Sequence, residues 1–369
     1  MAVASTSPAG QDLAARLCER AAARLRLRQG AEAMPLLRAA WHAAPASGAG
    51  QRALRTLWQA ARAAGDWPTA LAAAVRAAQA APSDFPLVHA AVCTLRDAVA
   101  AGWRGTRPQV AMPMVLPLLS IVIVSRDDAR FAAFEAQCAQ AFAAWPHERI
   151  RIADATSMYD GYARGFARAR GGVVAFAHDD TRFAAPDFAA RLADALQDAD
   201  AVGVAGATRV TSPALLGAGH PWLHGAITHL AQDGMPCEFA LLSLAGRRVA
   251  GAQALDGVFI AARREWIARV GFDAATCDGF HFYDLDFTYR AHRAGARLAI
   301  ACDLALLHAS RGRMDERYAQ AQRRFAARHP ELGAAPSAHR HWYALPVADA
   351  RHACVLHDAL LAAWALPDP

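Results

Sequence analysis

Between residues 11 and 100 apolar side chains recur at three- and four-residue spacing, in a stretch dominated by Ala, Leu and Arg. That period predicts an all-helical region over 1–100. Residues 101–117 lose the period and carry Gly102, Gly105, Pro108, Pro113 and Pro117, which is the composition of a linker. From Leu118 short, continuous apolar runs alternate with helical stretches. Strands are predicted over 118–124, 149–153, 173–177, 201–205, 255–261 and 297–307. Helices are predicted from the residues after 128 to about 144, and over 159–170, 188–198, 263–270 and 284–294. Residues 207–250, rich in Gly and His, read as loops with a small antiparallel element. The alternation predicts an α/β domain over 118–330, a parallel, doubly wound sheet with helices on both faces. Residues 331–369 read as a C-terminal extension that ends in a helix over 347–364.

The helical region holds a weak repeat. Gly65, Asp66, Trp67, Ala70, Ala77 and Pro82 fall at the offsets of the second helix of a tetratricopeptide repeat, and Gly30, Ala33, Ala40 and Pro45 echo them about 35 residues earlier. Small residues at Ala70 and Ala77 let paired helices approach closely. Solenoids of this kind bind peptides or partner proteins on a concave face, so a protein partner is expected there.

Composition narrows the chemistry. The chain has 369 residues, 55% of them hydrophobic and 20% charged, enough to bury a sizeable core. It contains no Lys and no Asn, so all 39 basic residues are Arg. A Schiff-base lysine and a P-loop are therefore excluded. The net charge of +6 is spread along the chain and interleaved with Asp and Glu, without the basic stripe and stacking aromatics of a nucleic-acid groove. Seven widely spaced cysteines with no CxxC read as small buried hydrophobes of a reducing compartment. No signal peptide is evident at the N-terminus, and the apolar run over 111–124 is broken by Pro113 and Pro117. A cytoplasmic protein without a membrane span is expected.

In such sheets ligands bind at the carboxyl ends of strands. Two acidic pairs, Asp127-Asp128 and Asp179-Asp180, fall just there. Adjacent ionised carboxylates repel, and a divalent cation with hard oxygen ligands, Mg2+ or Mn2+, removes that cost. A solvated turn in which Asp180 caps the next segment is the alternative. Further along come Leu255-Asp256-Gly257-Val258-Phe259, then Phe280-His281-Phe282-Tyr283-Asp284-Leu285-Asp286-Phe287 with Arg290, and then Leu306-Leu307-His308. Taken singly, the aromatics read as core, Asp286 and Arg290 as a structural pair, and His308 as a strand-end histidine.

Taken together, and with Ala177-His178-Asp179-Asp180, the ordered set over about 210 residues resembles the family 2 glycosyltransferases of the GT-A fold, in particular the StrF-like subgroup. The resemblance implies a GT-A-type mixed sheet and a metal-dependent transfer of sugar from a nucleotide-sugar donor to an acceptor hydroxyl, with inversion. It implies Asp180 and His308 as metal ligands for Mn2+ or Mg2+, and Asp284 as general base. It implies Asp179, Ser125 and Asp154 as contacts to the donor nucleotide. Arg311 or Arg313, just past His308, would add a charge-assisted clamp on the diphosphate. The acceptor would be a glycan, a lipid-linked sugar or a protein. Tyr283 stands where many relatives have Glu, and Ala163 where many have Asn. A different reading makes the chain an interaction adaptor whose α/β domain is a degenerate nucleotide-sugar-binding scaffold. A nucleotidyltransferase fits less well, because the chain has neither Lys nor a Gly-rich phosphate loop.

Overall fold

The computed structural model describes residues 7–232, 234–273, 278–312, 314–333 and 342–369. They form two compact units: the chain up to Pro108 together with Asp358–Pro369, and Gln109–His357. The residues of the expected extension therefore fall in both units.

In the first unit the N-terminal helices are α1 (Pro8–Arg26), α2 (Gly30–Ala43), α3 (Gly48–Ala63), α4 (Trp67–Ala80) and α5 (Phe85–Ala100). Their starts are written in the sequence. Ser7, Ser47, Asp66 and Asp84 each accept a hydrogen bond from the amide three residues on, and each such cap is worth about 1 kcal/mol. Ala70 and Ala77 are fully buried where successive helices pack. Trp58 donates to Thr94 at 3.0 Å between α3 and α5, and Arg76 reaches Asp368 at 2.6 Å.

The second unit is mixed α/β. Its strands are β1 (Leu119–Val124), β2 (His147–Ile152), β3 (Val173–His178), β4 (Thr181–Phe183), β5 (Ala201–Gly203), β6 (Ala205–Ala207), β7 (Leu223–His229), β8 (Glu238–Leu241), β9 (Arg248–Ala252), β10 (Ala254–Leu255), β11 (Phe259–Arg263), β12 (Leu298–Ala301), β13 (Leu306–His308) and β14 (Tyr343–Pro346). Its helices are α6 (Asp128–Ala141), α7 (Met158–Arg168), α8 (Phe188–Asp198), α9 (Arg264–Val270), α10 (Tyr283–Arg293) and α11 (Glu316–Arg328), and α12 (Ala350–Ala365) begins in it. One sheet runs β2-β1-β3-β11-β5-β12-β9; the other runs β10-β6-β7-β13-β4, with β8 on β7 and β14 on β8. β1 is parallel to β2 and β3, whereas β11 is antiparallel to both β3 and β5. The region 207–250, expected as mostly loops, supplies β7, β8 and β9.

Three apolar runs that read as single strands change sheet part-way. The run over 201–205 breaks at Val204 into β5 and β6. The run over 255–261 breaks at Asp256-Gly257-Val258 between β10 and β11. The run over 297–307 breaks between β12 and β13. Side chains are buried on both sides of each break. The first sheet is covered on both faces. Phe176 of β3 packs on Tyr162 of α7 (ring centroids 4.4 Å apart), while Phe259 of β11, which pairs with the next residue, Ala177, packs on Phe188 of α8 (5.4 Å).

A buried ionic cluster ties α8 to the sheet. Arg191 has no exposed side-chain surface; it makes two bonds to Asp187 (2.9 and 2.8 Å) and reaches Asp303 at 3.2 Å. Asp303, also fully buried, is paired with Arg248 of β9 as well. Removing one member of such a cluster strands the others, which is costlier than never having built it. Asp303→Ala is expected to lower the unfolding free energy by about 3 kcal/mol, measured by urea titration. A loss under 1 kcal/mol would show the cluster to be solvated.

Candidate active site

The register of the first sheet brings the ends of β1 and β3 side by side: Val124 pairs with His178. The residues just past those ends are Ser125, Asp179 and Asp180. Ser125 is buried and donates to Asp179 at 2.7 Å. The chain then turns into β4, and β4 pairs antiparallel with β13, so that His308 lies opposite Thr181. This pairing delivers His308 to Asp180. The two side chains stand 3.3 Å apart, only 10% and 8% exposed, and Ala309 donates to the Asp180 carbonyl at 3.0 Å. Burial by itself would raise the Asp180 pKa; hydrogen bonds from His308 and Ser310 outweigh it and hold the carboxyl below the usual range.

His178, the last residue of β3, completes the cluster. Its Nδ1 lies 3.3 Å from His308 Nε2, and one ligand atom each from His178, Asp180 and His308 fall within 4.8 Å of one another. Burial and the neighbouring His308 push the His178 pKa down, which favours a neutral imidazole. Two imidazoles and one carboxylate converging in this way fit a divalent transition cation better than Mg2+, which prefers an all-oxygen shell.

α10 brings the second half of the site. Tyr283, its first residue, hydrogen-bonds His178 Nε2 through its hydroxyl. Asp284 follows, accepting from the Gly257 amide at 2.8 Å. Gly257 is required by packing: a Cβ there would lie 2.3 Å from the Tyr283 hydroxyl and 2.8 Å from Asp284 Cβ. Burial first, and then the charge of Asp256, raise the Asp284 pKa to about 7. The residue as a whole is half-buried. Phe282, which precedes the helix, has φ +64°, a left-handed conformation that costs a non-glycine residue roughly 1 kcal/mol. Its ring is held against Tyr318 and Phe325 of α11, with centroids 5.0 and 5.7 Å away. The helix is anchored from behind by Asp286, fully buried, which accepts from Tyr159 at 2.7 Å and from Arg290 at 2.8 Å.

The structure thus gathers Asp179, Asp180, Ser125 and His308, and links them to Asp284 through His178 and Tyr283. Asp154, two residues beyond β2, is highly exposed and paired with Arg164 at 2.6 Å. Arg311 makes its contacts with β8 and the residues before it, donating to the Pro236 carbonyl at 2.8 Å and standing 3.7 Å from Glu238. Arg313 lies outside the described residues. Sequence reasoning passed over His178 as a ligand, although its place next to Asp179-Asp180 at a strand end was a usable signal.

The sequence matches the model of the glycosyltransferase-like family over residues 129–329. No curated protein matches it. Among solved structures, the mannosyltransferase PcManGT from Pyrobaculum calidifontis in complex with GDP-Man and Mn2+ is 14% identical, with a TM-score of 0.38 over 72% of this chain and 77% of that one. GalNAc-T7 with UDP, GalNAc and Mn2+ is 13% identical, with a TM-score of 0.38 over 61% of this chain and 52% of that one. A197 from STIV is 11% identical, with a TM-score of 0.30 over 53% of this chain and 96% of that one. Since the family model spans more than half of the sequence, from the residue after α6 begins to the end of α11, the chain belongs to the glycosyltransferase-like family.

Proposed function

We propose that the chain is a metal-dependent glycosyltransferase that moves a sugar from a nucleoside diphosphate to an acceptor hydroxyl. One observation carries this reading. A compact His178-Asp180-His308 cluster is linked through Tyr283 to a carboxyl, Asp284, whose pKa is raised to about 7. A base tuned to that range accepts a proton at neutral pH and can release it again.

His178, Asp180 and His308 would hold the cation, and the chemistry it supplies there is neutralisation of the charge that grows on the departing diphosphate. Asp284 takes the proton of the acceptor hydroxyl at its carboxylate oxygen as that oxygen bonds to the anomeric carbon and the bond to the diphosphate breaks. Attack from the face opposite the leaving group inverts the anomeric centre. Asp179, which accepts from Ser125, would accept from the donor's ribose. Asp154 offers an exposed carboxylate to the nucleotide once Arg164 releases it, and Arg311, once it leaves Glu238, or Arg313 would add a cation for the diphosphate. The helical unit fits a tetratricopeptide-like module that recruits a partner or presents the acceptor, a glycan, a lipid-linked sugar or a protein. The sequence motifs favour the StrF-like subgroup of family 2. Six free cysteines among the described residues accord with a cytoplasmic site of action. No helix among the described residues is long and apolar enough to cross a membrane.

The test is direct. The purified chain, stripped of metal, is mixed with a panel of nucleotide sugars and either Mn2+ or Mg2+. Mn2+-dependent release of nucleoside diphosphate is expected, with Mg2+ at least about 10-fold less effective because of the two imidazole ligands. If no donor is consumed and no nucleoside diphosphate shifts the melting temperature, the adaptor reading replaces this one.

A further inference from the structure

We infer that Tyr283 is a positioning residue for the cation site: its hydroxyl fixes His178 so that Nδ1 faces the cation, and it joins that site to the helix that carries Asp284. This rests on the cation reading above and deepens it.

The argument begins with the two nitrogens of His178. Nε2 is bonded to the Tyr283 hydroxyl, while Nδ1 stands 3.3 Å from His308 Nε2, which itself stands 3.3 Å from an Asp180 carboxylate oxygen and 3.3 Å from Ser310 Oγ. Nδ1, Nε2 of His308 and the carboxylate oxygen thus face one small region, which either a shared proton or a cation can fill. A histidine that ligates through one ring nitrogen donates the N–H of the other to an outer partner, and that partner sets the tautomer. Tyr283 is the only outer partner recorded for His178 Nε2 among the described residues. With the proton on Nε2 the hydroxyl accepts from it, and Nδ1 is left to ligate.

The placement of Tyr283 is itself enforced. It is 5% exposed, its ring packs edge-on to Tyr162 at 5.5 Å, and its hydroxyl occupies the space that only a glycine at 257 leaves open. The next residue is Asp284, held by the amide of that same Gly257. A phenol here therefore connects ligand and base through three consecutive constraints: His178 to Tyr283, Tyr283 to Asp284 along the chain, and both to Gly257. A glutamate at this position would put a second negative charge beside Asp284 and Asp256; the neutral hydroxyl orients the imidazole without adding one.

The experiment uses the full-length chain and its Tyr283→Phe and His178→Ala variants, each stripped of metal and titrated with Mn2+ by calorimetry. Tyr283→Phe is expected to weaken Mn2+ binding about 10- to 100-fold, the usual effect of losing an outer-shell partner. Its metal-free melting temperature should stay near that of the native chain. Pulsed electron paramagnetic resonance of bound Mn2+ should show nitrogen couplings from two imidazoles in the native chain and from one in His178→Ala. With a donor that the native chain consumes, the turnover of Tyr283→Phe should recover at saturating Mn2+, leaving a raised Mn2+ requirement. Native Mn2+ affinity in Tyr283→Phe overturns this inference and leaves the cation reading standing, whereas a spectrum unchanged in His178→Ala overturns this inference and also removes His178 from the cation reading. Failure of the native chain to bind Mn2+ at all overturns both. A variant that melts early yet binds Mn2+ as the native chain does would show Tyr283 to be a packing residue only, and also overturns the inference.

Discussion

Asp284→Asn is expected to lower turnover about a thousand-fold while making the metal-free protein more stable at pH 8. Both effects come from one environment. The Asp284 carboxyl is surrounded by protein and faces Asp256, and Tyr162, Tyr283 and Tyr318 also lie within its field; burial leads, the Asp256 charge follows, and the pKa rises to about 7. An amide oxygen can still accept the Gly257 N–H, so the helix start is kept. What is lost is the ability to take a proton. The stability effect has a definite sign. The folded pKa lies above the unfolded value near 3.8, so below that value both states are protonated and the carboxyl costs nothing. As pH rises toward about 7 the unfolded chain ionises while the folded chain holds its proton, and stability falls; above that the full penalty is present. Asparagine escapes the penalty, by an amount of order 2 kcal/mol once the partial exposure of the residue is allowed for. The measurements are unfolding titrations in chelator at pH 5 and pH 8, and turnover against pH. The native rate should climb through neutrality and the residual rate of the variant should not. An Asn variant with native turnover would remove Asp284 from the chemistry.

Asp180→Asn should abolish the Mn2+-dependent part of the activity, a loss of at least about a thousand-fold, and with it the thermal shift produced by Mn2+. Asp180 is the one carboxylate of the cluster, and its side chain is 8% exposed. The amide preserves shape and can still accept from Ser310, but it carries no charge. Two neutral imidazoles would then face a dication with no ligating carboxylate among the three, and desolvating it there becomes less favourable. Calorimetric titration with Mn2+ and donor turnover at high Mn2+ check this together. Retained Mn2+ affinity would mean that the cation sits elsewhere, and the functional reading would need a different centre.

Much of the centre could be named before any coordinates. Asp180 and His308 follow apolar runs and Asp284 opens a helix, and it was the resemblance to the family 2 glycosyltransferases that proposed that the three meet. The helix caps at Ser7, Ser47, Asp66 and Asp84 are each made within four residues, although the apolar period by itself marks only one helical region over 1–100. The place of His178 beside Asp179-Asp180 was legible, but its link to Tyr283 was not, since that partner lies 105 positions away. Nor was the company kept by Arg311, whose partners lie on and beside β8.

The sequence by itself determined that helices fill the N-terminal region, that α/β structure follows them, and which acidic and imidazole groups end the strands. These are local facts, set by period, caps and turns. Only the tertiary structure decided that three apolar runs each divide between two sheets, because their residues are buried on both sides of the break and hydrophobicity carries no mark of which sheet a strand joins. It alone decided the pKa of Asp284, which depends on Asp256, a charge 28 residues earlier in the chain that is brought close by the meeting of β10, β11 and α10. Distance along the chain conceals such pairs; folding sets the dielectric and the separation, and with them the chemistry.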